Sequence, residues 1–155
     1  MKKVLLATAL LTGSFAFAQK TVTPSTAAKA AFDKKYPAAA DVKWGKENKN
    51  EYEAEFTLNG TKMAANFLTN GKWVVTETST TLAELPQAVQ TAFKSKHATA
   101  TLVEKIEKPG AAMAYEIEYK SGKKNTEIVY DANGKEVKEK KEKEEKGEKD
   151  EKGEK

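Results

Sequence analysis

Two stretches of the chain alternate apolar and polar residues with a period of two. Tyr52, Ala54, Phe56 and Leu58 point to one side of a strand, and Glu53, Glu55 and Thr57 to the other. Met113, Tyr115, Ile117 and Tyr119 against Glu116 and Glu118 repeat the pattern. Two further stretches follow a helical period. Ala28, Ala31 and Phe32 share one face, as do Val89, Ala92 and Phe93. Thr23 can cap the first helix with Pro24 at its first position, and Pro37 stops it after Tyr36. Pro86 starts the second helix, and Thr81 to Glu84 has the spacing of a capping box. Asn59-Gly60, Asn70-Gly71 and Asn133-Gly134 mark hairpin turns, because both central residues of a type I′ turn need positive φ; Ser121-Gly122 is a weaker signal. The predicted strands run near 40–47, 50–58, 61–69 and 71–78, then 100–108, 112–120, 123–131 and 135–138.

The order of these elements repeats. Phe32 answers Phe93, Tyr52-Glu53-Ala54-Glu55-Phe56 answers Tyr115-Glu116-Ile117-Glu118-Tyr119, and Phe67 to Lys72 answers Tyr130 to Lys135. An echo of this length is larger than a solenoid repeat and points to a duplicated block. The expected fold class is α+β: a tandem repeat of two α-β4 units, about 22–79 and 80–137, with antiparallel sheets and one helix packed on each. Trp44, Phe67, Trp73, Ile128 and Tyr130 should join the helix-covered core. The opposite face would be open and carry Glu53, Glu55, Lys62, Asn66, Thr76, Glu116, Glu118 and Glu127.

Composition divides the chain into three parts. Lys2 and Lys3, the apolar run Val4 to Leu11 and the small-x-small site Ala16-Phe17-Ala18 read as a signal peptide over 1–18, cleaved after Ala18. That run is too short to span a bilayer, and the mature form has no transmembrane segment. Residues 138–155 hold 8 Lys, 8 acids and 2 Gly. With no apolar side chain to offset its ordering entropy, this Lys/Glu stretch is expected to be a disordered tail. The 119 residues of 19–137 suffice for a single compact domain. The location expected is periplasmic or secreted.

The inventory of reactive groups is thin. The chain has no Arg and no Cys. Without Arg forks for bases and phosphates, no nucleic-acid partner is expected. The single histidine, His97, stands where the first half has Tyr36, and reads as a structural or solvated residue because no nucleophile is set to complete a triad. A transition-metal site lacks ligands, so no metal and no cofactor is expected. The pairs Glu53/Glu55 and Glu116/Glu118 could suggest glycosidase carboxylates, but an open sheet face would solvate both acids of a pair equally and raise neither pKa. Asp131-Ala132-Asn133-Gly134-Lys135-Glu136 is too short for a calcium loop and reads as a turn.

The helix ending Phe32-Asp33-Lys34-Lys35-Tyr36-Pro37, then Val42-Lys43-Trp44, the Tyr-Glu-x-Glu strand, Asn-Gly-Lys-Trp at 70–73 and Leu85-Pro86 together resemble the exported PepSY-like, β-lactamase-inhibitor-like proteins. The resemblance covers about 24–137. It implies a tandem α-β4 fold, an extracytoplasmic location and no known catalytic residues. The namesake inhibitors plug an enzyme's active site with a concave sheet face and protruding hairpins, which here would be Leu58-Asn59-Gly60-Thr61 and Lys120-Ser121-Gly122-Lys123. The first of these lacks an acidic tip and the second an aromatic one.

The expected function is therefore a non-enzymatic, exported binding module that engages a protein or peptide, in an inhibitory role if the resemblance extends to function. Glu53, Glu55, Glu116 and Glu118 are the candidate contacts, with Asn59, Gly60, Ser121 and Gly122 shaping the loops. The alternatives are a cell-envelope structural or stress-buffering protein and a small-ligand or ion carrier.

Overall fold

The computed structural model describes residues 21–137; the expected signal peptide and the Lys/Glu tail lie outside the described residues. The described chain is α+β. Helix α1 (Thr26–Lys35) precedes strands β1 (Ala40–Asn48), β2 (Glu51–Leu58), β3 (Thr61–Leu68) and β4 (Trp73–Ser79). A 3₁₀ turn (Leu82–Glu84) and helix α2 (Gln87–Lys94) follow, then β5 (Ala100–Glu107), β6 (Ala114–Ser121) and β7 (Lys124–Asp131). The strands form one antiparallel sheet in chain order, β1 to β7. The sheet has seven strands where two units of four strands each were expected. The predicted last strand, 135–138, contributes an isolated bridge from Glu136 to Tyr130. β4 pairs directly with β5 through Thr76–Ser79 and Glu104–Glu107, which makes the sheet continuous.

Both helices lie on the same side of this sheet, and each covers its own core. Phe32 of α1 packs with Ala28, Tyr36, Ala54, Phe56, Ala65 and Phe67. Its ring meets Phe56 edge-on at 5.0 Å and Trp44 at 5.3 Å. In the second core Phe93 and Val89 of α2 pack with Leu85, Val103, Ile117 and Tyr130. Burying each such side chain stabilises the fold by about 1.5–3 kcal/mol. The predicted core residues are found there: Phe67 and Tyr130 are fully buried, and Trp44, Trp73 and Ile128 pack half-buried against the clusters.

Local details differ from the prediction. Ser25, not Thr23, caps α1: its hydroxyl oxygen accepts from the Ala28 N–H at 3.1 Å and donates to the Thr69 carbonyl at 2.8 Å. One side chain thereby satisfies a helix end and ties it to the β3–β4 loop. The capping box is real but belongs to the 3₁₀ turn, where the Glu84 carboxylate accepts from the Thr81 N–H at 3.0 Å. Asn59-Gly60 forms the two-residue hairpin expected, with φ of 51° and 81°. Asn70-Gly71 and Asn133-Gly134 sit instead in longer loops, closed by Leu68 N–H to the Lys72 carbonyl and Asp131 N–H to the Lys135 carbonyl, both at 2.9 Å. Each loop lies beneath the first turn of a helix, Gly71 against Ala27 and Gly134 against Ala88.

A candidate binding face free of helices

The sheet register sorts side chains between the two faces. Across the face that carries no helix, one row holds Lys43, Glu55, Ala64, Glu77, Ile106, Ala114 and Asp131. The next row runs Ser79, Glu104, Glu116 and Val129. Beyond it Leu102, Glu118 and Glu127 stand side by side, and toward the other end Gly45, Glu53, Asn66 and Val75 do. The four predicted acids thus share a face, as two pairs on β2 and β6 with three strands between them.

Sequence reasoning missed what fills that gap. Glu77 on β4 and Glu104 on β5 stand between the pairs, and Thr76, expected on this face, does not. The cause is a bulge: Phe67 pairs with Trp73 but Asn66 with Val75, so Val74 is extra and the alternation slips by one residue. Thr76 therefore faces the helices, where its hydroxyl meets the Tyr36 hydroxyl and accepts from Trp73 Nε1 at 2.9 Å. The Val75-x-Glu77 spacing is visible in the sequence, but the slip that aims it is not.

The middle of this face is withdrawn from water. Glu104 is 1% exposed, Glu116 4% and Glu77 6%, among Val75, Ile106 and Val129, which form a third apolar cluster. The expectation of equally solvated carboxylates fails for this reason. Burial pushes Glu77 up to about 8, reinforced by Glu104, Glu53 and Glu127 and opposed by Lys108. Burial and the neighbouring Glu118 and Glu127 push Glu104 up to about 7, while a Ser79 hydrogen bond works the other way. Glu118 is raised by burial alone. Glu104 Oε2 has no hydrogen-bond partner among the described residues.

Both ends of the face carry loops. The β2–β3 and β6–β7 turns project from one end, since alternate connections of an antiparallel meander share an end. In the second of these Ser121 is the last strand residue, paired with Lys124. The turn is Gly122-Lys123, with Gly122 at φ 63°, the glycine-first arrangement of a type II′ hairpin. At the other end Ile106, Lys108, Gly110, Met113, Ala114 and Val129 surround an apolar pocket of about 300 Å³.

The remaining candidates have structural surroundings. His97 stacks on Tyr119 at 3.8 Å between ring centres and on Phe93 at 5.1 Å. Asp131 Oδ1 accepts from the Asn133 and Lys135 N–H groups, which makes its loop a turn held by its own carboxylate. Among the described residues no group of three or more His, Cys, Asp or Glu is arranged to hold a metal, and no helix is long and apolar enough to cross a membrane.

The profile of the family described as "Putative beta-lactamase-inhibitor-like, PepSY-like" matches residues 50–138, from the start of β2 onward. The chain belongs to this PepSY-like family. Solved structures extend the likeness to more of the fold. A BLIP-like protein of Bacteroides fragilis is 27% identical, with a TM-score of 0.64 over 78% of this chain and 88% of that one. A DUF2874 family protein of Bacteroides ovatus is 28% identical, with a TM-score of 0.66 over 76% and 86%. A "putative periplasmic" protein of Bacteroides eggerthii shares the fold at 24% identity, with a TM-score of 0.69 over 76% and 88%. No curated protein matches the chain. This PepSY-like protein thus has the fold of proteins described as BLIP-like, and that fold is consistent with a non-catalytic module.

Proposed function

We propose that this PepSY-like protein is an exported, non-catalytic module that binds a protein or peptide across its helix-free sheet face. Glu53, Glu55, Glu116 and Glu118 supply the contacts, and the turns at Asn59-Gly60 and Gly122-Lys123, the second preceded by Ser121, frame one end. The observation that carries this reading is the shared face: the register brings all four acids to the side of the sheet that neither helix covers. Two further acids, Glu77 and Glu104, bridge the pairs. Export draws support from the Lys2-Lys3, apolar and Ala16-Phe17-Ala18 pattern and from the periplasmic description of the B. eggerthii protein. The helix-then-strands order on either side of residue 80, with Gly71 and Gly134 in equivalent places, favours descent from a duplicated α-β4 unit.

Site-specific photo-crosslinking tests the proposal. A crosslinker at Thr57 or Lys123 should capture the same partner from the exported fraction, and one at Lys34 on the outside of α1 should not. Replacing the four glutamates by alanine should reduce that capture. Capture from Lys34 alone moves the contact to the helical side and removes the acidic face from the account.

A further inference from the structure

The buried acidic centre of the face adjoins the apolar pocket at its end through shared strand neighbours. Ile106 lines the pocket and is the cross-strand neighbour of Glu77. It also lies two residues from Glu104 on the same strand and face, about 6.5–7 Å along the chain. Val129 lines the pocket from the other side and is the cross-strand neighbour of Glu116. An apolar recess of about 300 Å³ therefore opens beside a row of enclosed carboxylates. One of those carboxylates, Glu104, is almost wholly buried with its Oε2 lacking a hydrogen-bond partner among the described residues. A buried acceptor without a donor is costly, and a donor arriving with a partner would remove that cost.

We propose that this surface recognises an amphipathic cationic peptide, one apolar side chain entering the pocket between Ile106, Met113 and Val129 and a neighbouring lysine ammonium lying against Glu104 and Glu77. The inference rests on the binding-module reading and names the partner's chemistry. An apolar side chain suits a recess whose lining is mainly alanine, valine, isoleucine and methionine, with Lys108 and Asp131 also bordering it. The ammonium supplies three donors to carboxylates that burial otherwise keeps protonated. Binding then ionises them and releases protons, so affinity rises with pH. The groups facing Glu77 are Glu53, Glu104, Glu127 and Lys108, and those facing Glu104 are Glu118, Glu127, Ser79 and, directly across the sheet, Glu116. Acids outnumber Lys108 here, which favours a cationic ligand over an anionic one.

The test is fluorescence anisotropy with the full chain and three labelled octapeptides: alternating Lys and Leu, alternating Glu and Leu, and alternating Lys and Ser. The Lys/Leu peptide should bind at least tenfold more tightly than either of the others. Its affinity should increase from pH 6 to pH 8.5. Glu104→Gln should weaken it about tenfold and flatten the pH dependence. Ala112→Trp, an exposed position at the pocket, should weaken it about tenfold and leave the pH dependence in place. Equal binding of the Glu/Leu peptide, or unchanged binding by both variants, overturns the inference. Binding seen only after deletion of 138–155 also overturns it, because the carboxylates would then be serving the chain's own lysines. Should the peptides fail while the four-glutamate variant still loses its crosslinked partner, this inference falls and the binding-module reading stands.

Discussion

Gly71 presses its bare α-carbon against the first turn of α1: a Cβ placed there would lie 2.7 Å from the Ala27 carbonyl oxygen. Gly134 meets α2 in the same way, its Cβ position falling 2.5 Å from the Ala88 carbonyl oxygen. In both places a loop below the sheet's helical side sets how closely the helix can dock. Gly71→Ala and Gly134→Ala should each destabilise by about 2–4 kcal/mol, from left-handed backbone strain and the clash together. Gly60→Ala is the control, with φ 81° and nothing within 4 Å of the added methyl, and should cost about 1 kcal/mol. Urea unfolding midpoints check the order; equal losses at all three glycines would show that the helix contact adds nothing.

The stability of the domain should fall as pH rises from 5 to 8.5. Glu77, pushed up to about 8, and Glu104, pushed up to about 7, hold protons in the folded state that an unfolded chain, with ordinary carboxylates near 4.5, has already released. The folded state binds more protons over that window, so the slope is negative. Their stabilisation is fully present below about 4.5 and lost as pH passes through 7 and 8. Glu118 and Glu47, also raised by burial, act in the same sense. Glu77→Gln, neutral at every pH, should flatten much of the slope. Melting temperatures at constant ionic strength measure this, and a rising Tm between pH 5 and 8.5 would refute it.

Thr76 carries a prediction about the first core. Its hydroxyl serves both Tyr36 and Trp73 inside the first core. Tyr36→Phe removes one hydrogen bond and should cost about 1 kcal/mol. Thr76→Val keeps the shape but leaves the Tyr36 hydroxyl without this partner and the Trp73 N–H without its acceptor, and should cost about 2–4 kcal/mol. Chemical denaturation distinguishes them, and a Thr76→Val loss no larger than that of Tyr36→Phe would show that water replaces the threonine.

Phe93 and His97 occupy one α2 neighbourhood with unequal consequences. Phe93 is fully buried in the second core, so Phe93→Ala should cost about 3–5 kcal/mol. His97 is half-buried, stacked on Tyr119, and His97→Ala should cost about 1 kcal/mol. Thermal melts of both variants test the structural role given to the histidine; unfolding of the His97 variant would contradict it.

The parts of the fold legible in the sequence were those governed by local periodicity. The alternation through Tyr52 to Leu58 and the stripes around Phe32 and Phe93 each specify a buried face within a few residues, and the structure uses all of them. What stayed hidden depends on strand pairing. The extra residue at Val74 cannot be seen until β3 and β4 are side by side, yet it decides that Glu77 and not Thr76 joins the acidic face. Glu104 reads as one of two adjacent polar residues, with Lys105, inside the run Leu102 to Ile106, and its meaning comes from Glu116 across the sheet. The turn in the second hairpin moved by one residue because a glycine can lead a type II′ turn as readily as it can end a type I′ one.

The join between β4 and β5 has consequences for how the whole plate behaves. Four residue pairs connect these strands, against eight between β2 and β3. Fewer paired residues hold the sheet together along the Thr76–Ser79 line than between β2 and β3, so a bend there would break the fewest backbone pairings. Glu53 and Glu55 lie on one side of that line and Glu116 and Glu118 on the other, so the spacing between the acidic pairs would change with any bend at this seam.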